Sequence, residues 1–406
     1  MAAPDWHTES GWGTRRSGRT PLLSVPMRVT VFGTYDAKAH PRVAIIADGL
    51  RAHGHEVQEC NAPLGLDTAA RVAILAQPWR VPVLLGTLAR RWLTLARTAR
   101  RQARPDLVVV GYLGHFDVRL ARRLFRRTPI VLDHLIGASD TARDRQLSGG
   151  IRQVLLRAID SGALRSADLI VVDTEEHLNA LPPEHRDRAV VVAVGAPQAW
   201  FDAAADVAAP DVAVSSDTDG QPPLRVLFFG LYTPLQGTPV IGRALALLAA
   251  APIETTMVGK GQDGPETRRA AAPNTAVRWL DWVASDELAA LVAQHDVCLG
   301  IFGTGAKALR VVPNKVFQGA AAGCAIVTSD TAPQRRLLGD AALFVPPGDA
   351  DALAEALSRL AADRAELDRA KAAARRLALS AFSAEQIVTP LIKRLDELPA
   401  RKRAAT

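Results

Sequence analysis

Chemically capable residues concentrate between Gly300 and Gln318. After an apolar run come Gly303, Thr304 and Gly305, then Lys307 and Arg310, then Pro313, Asn314 and Lys315. Glycines flanking a threonine leave backbone N–H groups open to a ligand. The start of a helix adds more such groups and the positive end of its dipole. Asn314 fits the N-cap of a helix beginning there. A lysine in the first turn opposes the dipole, so Lys315 makes sense where an anion is held. Three cations converging on one helix start suit a diphosphate.

Further glycines close apolar runs elsewhere: Gly33 followed by Thr34, Gly230, and Gly259-Lys260-Gly261. Each is a strand-to-helix junction able to meet a phosphate. One GxGxxG spacing occurs, Gly259-x-Gly261-x-x-Gly264, with no acidic strand end read after it, and no GxxxxGK[ST] occurs. Neither a nicotinamide cofactor nor a P-loop is therefore expected. Asp117 and Asp133 lie at or beyond the ends of apolar runs and are base candidates by position. The three cysteines, Cys60, Cys298 and Cys324, are too far apart for a metal knuckle or a redox pair.

These residues need strand ends to hold them. Apolar runs at 27–33, 56–59, 106–110, 129–133, 168–173 and 189–194 alternate with helical patterns, the first of which begins at Pro41. The pattern restarts at 224–230. Strands at 253–258, 296–301 and 325–328 follow, with helices at 239–251, 285–294, 314–322, 349–361 and 363–380. Short apolar strands between helices mean parallel sheets covered on both faces. The expected fold class is α/β, with two doubly wound Rossmann-like domains facing a cleft. The divisions read as an extension at 1–26 with the composition of a disordered tail, a first domain at 27–195 and a linker at 196–223. A second domain at 224–380, a helix at 381–398 crossing back to the first, and a tail at 399–406 complete the chain.

The chain has 406 residues, a formal charge of +7 and a pI near 9.7. Residues 68–105 hold eight arginines and no acidic residue. As a helix, 83–104 separates Leu84, Leu85, Leu88, Trp92 and Leu95 from Arg90, Arg97, Arg101 and Arg104. Such a helix either packs its leucine face on a sheet or rests on an anionic membrane surface. Nucleic acid is not expected, because no recognition-helix or aromatic strand motif accompanies the charge. No secretory signal or membrane-spanning run is read. The expected address is cytoplasmic, with peripheral contact at the inner face of the plasma membrane.

Two Gly-terminated halves, together with Pro313 to Thr328 and the phrase Val345-Pro-Pro-Gly348-Asp349, resemble the GT-B glycosyltransferases, and more closely glycosyltransferase family 4. That resemblance implies transfer of a sugar from a nucleoside diphosphate donor to a glycan or lipid-linked acceptor, with retention at the anomeric carbon. It implies no metal and no cofactor besides the nucleotide sugar, which is the donor substrate. Gly33 and Thr34 would face the transferred sugar and the acceptor, and His115 would lie beside the sugar. Gly259 and Lys260 would meet the base, and Gly230 the phosphates. The segment from Gly303 through Thr304, Gly305, Lys307, Arg310, Pro313 and Asn314 to Lys315 would hold the diphosphate and sugar hydroxyls.

The departures from the family pattern are specific. Its Glu-x7-Glu pair falls on Arg310 and Gln318, leaving Gln318 to meet the ribose without charge. The Arg and Lys usual after the first strand of the second domain fall on Leu231 or Tyr232 and on Gln236. Lys307, Arg310 and Lys315 are expected to replace those cations. The alternative is a GT-B binding or scaffold protein that has lost catalysis.

Overall fold

The computed structural model describes residues 25–36, 41–65, 81–111, 114–135, 150–208 and 222–397. Most of the extension at 1–26, the second part of the linker and the tail at 399–406 lie outside the described residues.

The first sheet takes its strands from β1 (Arg28–Gly33), β2 (Glu56–Asn61), β3 (Leu107–Val110), β4 (Ile130–Asp133), β5 (Leu169–Val172) and β6 (Ala189–Val191). Between them lie α1 (Arg42–Ala52), α2 (Val81–Arg101), α3 (Asp117–Leu124), α4 (Gly150–Ser166), α5 (Glu175–Ala180) and α6 (Pro183–Arg186). The strands run parallel in the order β2-β1-β3-β4-β5-β6. β3 shows why its residues choose this structure. Val108 and Val110 enter the core on one face, with Phe32 and Ile170, while Leu107 and Val109 enter the other, with Ile45 and Leu50. A strand covered on both faces must be apolar at every position.

The second sheet repeats the design with β7 (Leu224–Phe229), β8 (Ile253–Val258), β9 (Val277–Leu280), β10 (Val297–Leu299), β11 (Ala325–Ser329) and β12 (Leu343–Val345). Its helices are α7 (Gln198–Ala208), α8 (Thr238–Leu247), α9 (Gly264–Ala270), α10 (Ser285–Ala293), α11 (Asn314–Ala321), α12 (Ala332–Leu338), α13 (Ala350–Ala362) and α14 (Arg364–Ala381). The order is β12-β11-β10-β7-β8-β9, again parallel. Both sheets reverse strand order once, between β1 and β3 and between β7 and β10. Ligands bind doubly wound sheets in the crevice at such switch points.

Three sequence expectations change here. The stretch 196–223 reads as linker, but its first part is α7, whose Trp200 and Phe201 are buried in the second core. Trp200 stacks on Phe229 with ring centroids 5.5 Å apart, so aromatic burial overrides the loop-like composition around it. Asn314 is not the N-cap of α11. Pro313 holds that position in extended backbone, and no side chain caps the helix. In α2, Leu88 and Leu95 are buried and Trp92 half-buried, but Leu85 lies at the rim and is 53% exposed.

The chain ends with α15 (Ala384–Asp396). α14 belongs to the second domain through Ala374, Ala378 and Phe382. α15 returns to the first, packing Ile387, Val388 and Leu391 beside Ile45, Ile46 and Leu50. Gly49 permits the contact, since a Cβ there would sit 2.2 Å from the Ala384 carbonyl oxygen. No helix among the described residues is long and apolar enough to cross a membrane.

Candidate active site

At the switch point of the second sheet, three loops are drawn into one. The Phe302 N–H donates to the Gln236 carbonyl at 3.0 Å, and the Gly348 N–H donates to the Phe302 carbonyl at 3.0 Å. Gly303 lies so close to the loop after β7 that a Cβ would come within 2.2 Å of the Pro234 carbonyl oxygen. Gly259 backs onto the same loop, where a Cβ would lie 1.9 Å from the Gly230 carbonyl oxygen. At both positions a side chain would force the loops apart. Beyond this packed seam Thr304 and Gly305 are exposed, and nothing lies within 4 Å of where a Gly305 Cβ would be.

Lys315 sits beneath the seam and is 4% exposed. Its Nζ donates to Gln236 Oε1 at 2.5 Å and lies 3.6 Å from the Phe228 ring centroid. A Cβ on Gly230 would lie 3.2 Å from that Nζ, so the bare backbone keeps the ammonium near the loop. Among the described residues no carboxylate pairs with Lys315. Burial against the aromatic rings lowers its pKa to about 7. A cation buried without a counter-charge is costly unless an anion arrives, and the N-terminus of α11 lies on the same side. Gln318 follows one turn on, also buried.

The other expected cations differ. Lys307 is half-buried before the single 3₁₀ turn Ala308–Arg310, and the Arg310 side chain is exposed. The Arg310 carbonyl accepts from Thr174 Oγ1 at 3.0 Å, which ties the loop after β10 to the first domain. Arg336 and Glu176 also pair between the two domains, at 2.8 Å. Asn314 and Lys260 are exposed, while Pro313 is half-buried. The Lys260 carbonyl accepts from the Tyr232 N–H. Sequence reasoning missed Thr174, Glu176 and Arg336, because a contact between domains leaves no local pattern.

In the first domain, the end of β1 faces the end of β3. Thr34 donates to Asp117 Oδ2 through its N–H at 2.7 Å and its hydroxyl at 2.8 Å. The Trp92 indole N–H donates to Asp117 Oδ1 at 2.8 Å. Three donors therefore occupy this carboxylate, making Asp117 an anchor for the Gly33–Thr34 loop rather than the base its position suggested. Asp133 likewise is no free base. Arg42 Nε donates to it at 2.9 Å, and the rest of that guanidinium donates to the Val192 and Ala193 carbonyls.

His115 is buried at the end of β3, with Nε2 3.5 Å from Asp160 Oδ1. Its ring lies 5.1 Å from that of His134. Burial, with His115 alongside, pushes His134 down to about 3, so that ring stays neutral. His134 follows Asp133 directly after β4, a position that sequence could have flagged as another strand end.

The architecture is shared with solved structures. Sucrose-phosphate synthase from Thermosynechococcus elongatus aligns at a TM-score of 0.65 and 16% identity, covering 91% of this chain and 98% of that one. Anabaena HepE in complex with UDP-glucose aligns at 0.62 and 16%, covering 92% and 100%. The E. coli trehalose-6-phosphate structure bound with UDP-2-fluoro glucose aligns at 0.65 and 16%, covering 92% and 99%. The fold is GT-B. Identities this low carry the architecture alone. Residues 223–363 match the family model described as Glycosyl transferases group 1, so the match falls on the GT-B domain that holds Lys315. No curated protein matches the chain.

Proposed function

We propose that this protein is a glycosyltransferase that moves a sugar from a nucleoside diphosphate donor to a glycan or lipid-linked acceptor, with retention at the anomeric carbon. The observation that carries the reading is the buried Lys315 ammonium against Gln236. In the pattern that the sequence resembles, position 236 supplies a cation. Here Gln236 has none, and Lys315 Nζ stands 2.5 Å from its side-chain oxygen. The charge reaches the same place from α11 instead of from the loop after β7.

The chemistry follows from that placement. Breaking the glycosidic bond to the donor leaves negative charge on the diphosphate. Preorganised donors at that point stabilise the charge most where water is excluded. Lys315 and the first N–H groups of α11 supply them, with Gly303, Thr304 and Gly305 closing around the phosphates and sugar. Lys307 and Arg310 lie at the rim of this loop, where they meet the departing charge. Gly230 brings the backbone of β7 close to the phosphates, and Pro313 and Asn314 shape the helix entry. Gln318 offers a donor and an acceptor to ribose hydroxyls, and Gly259 and Lys260 border the base. Across the cleft Gly33, Thr34 and His115 meet the transferred sugar and the acceptor. No metal is assigned a role.

The Anabaena and E. coli structures hold UDP-glucose and UDP-2-fluoro glucose, so UDP-sugars are the first donors to test. Lys315→Ala with Lys307→Ala should weaken binding of the nucleoside diphosphate far more than binding of the bare nucleoside. Equal losses, measured by calorimetry, would remove the diphosphate assignment. The anomeric configuration of the product, read by NMR, tests retention.

A further inference from the structure

One helix carries a surface that sugar transfer does not use. α2 packs through Leu88, Trp92, Leu95 and Ala99 against the core that contains Phe32, Val110 and Val118. At 100° per residue its opposite face aligns Val83, Arg90, Arg97 and Arg101, with Leu93 and Arg100 beside them. On that face Val83 and Leu93 are 70% and 56% exposed. Some exposed arginines elsewhere find carboxylates, as in Arg51–Asp48, Arg268–Asp281, Arg335–Asp330 and Arg359–Glu366. Arg126, Arg127, Arg243 and Arg278 are exposed without one among the described residues, but α2 gathers five such arginines on one helix. α2 contains no acidic residue. Among the described residues Arg90, Arg91, Arg97, Arg100 and Arg101 have no carboxylate partner.

The same helix is fastened inward. Trp92 donates to Asp117, and Asp117 holds both the N–H and the hydroxyl of Thr34. Whatever seats α2 therefore lies two hydrogen bonds from the loop after β1.

We propose that the outer face of α2 is a docking surface for an anionic lipid bilayer. The unpaired arginines select a negatively charged partner. Val83 and Leu93 select a bilayer, because apolar side chains gain from the boundary between headgroups and acyl chains and gain nothing from a soluble polyanion. Docked this way, α2 lies between the bilayer and the Gly33–Thr34 loop that it holds through Trp92 and Asp117. The docking surface is independent of the sugar-nucleotide reading, since vesicle binding is measured without turnover.

The test is co-sedimentation of the full chain with vesicles of phosphatidylcholine alone or with about one-third phosphatidylglycerol. Binding should require the anionic lipid and fall as salt screens it. Arg90→Gln, Arg97→Gln and Arg101→Gln together should lower partitioning about a hundredfold, from roughly fivefold for each charge. Lysine at the same three positions should retain it. Val83→Ser with Leu93→Ser should also weaken binding. All five side chains are exposed, so an unchanged thermal transition confirms that each variant is folded. Equal partitioning onto both vesicle types, or full retention by the glutamine variant, overturns the proposal. So does insensitivity to the two serines, which would make α2 a general polyanion face.

Discussion

On the proposed diphosphate assignment, Lys315 makes donor binding a proton-linked event. In the empty site its amine titrates near 7, far below an ordinary lysine, because burial disfavours the charged form. A diphosphate beside Nζ favours the ammonium, so binding above pH 7 must take up a proton. The charged fraction is about nine-tenths at pH 6 and about one-tenth at pH 8. Because the charged form is the binding-competent one, affinity should fall about tenfold across that interval, or about 1.4 kcal/mol. The ligand to use is an intact nucleotide sugar, whose diphosphate diester does not titrate in this range. Calorimetry in two buffers of different ionisation enthalpy should give about 0.9 protons taken up at pH 8 and about 0.1 at pH 6. Lys315→Arg keeps its charge at both pH values, so its affinity should be flat. The free protein should show the opposite linkage. Its unfolded state holds the lysine proton up to about pH 10 and its folded state only to about 7, so stability should rise between those values. A pH-independent affinity without proton uptake would refute the reasoning, as would an unchanged pH dependence in Lys315→Arg.

Three further outcomes follow from the first domain. Asp117→Ala strands the Thr34 and Trp92 donors and should cost about 3 kcal/mol in urea unfolding; a loss below about 1 kcal/mol would show that water replaces the carboxylate. Arg42→Met leaves Asp133 buried and unpaired and should cost about 3–5 kcal/mol, again by denaturant titration, while the double variant Arg42→Met with Asp133→Leu should recover much of that loss. His115→Ala should lower turnover about 100-fold or more while donor affinity holds, and steady-state kinetics beside calorimetry would expose a purely structural role as a fall in stability instead.

Much of the framework was legible because its causes are local. β3 announces itself as an unbroken apolar run and β7 as one broken only by the exposed Arg225, since each faces a core on both sides. Their ends are marked by Gly111 and Gly230. β9 and β12 escaped notice, being short and only partly buried. α7 was hidden by the proline- and serine-rich chain around it, although Trp200 and Phe201 argued for burial. The cluster from Gly303 to Lys315 stood out by composition. Its division of labour did not, because the same three cations read alike until one of them is buried.

The sequence alone determined two parallel α/β halves and the strand ends where ligand chemistry belongs. Apolar periodicity and glycine punctuation act over a few residues and need no distant partner. Only the tertiary structure decided which charged groups are spent and which remain to act. Asp117 is used up by Thr34 and Trp92, 83 and 25 residues away, and Asp133 by Arg42 at 91. Lys315 meets Gln236 across 79 residues. A side chain's protonation and reactivity depend on the donors, rings and solvent around it, and these arrive from positions that spacing along the chain does not reveal.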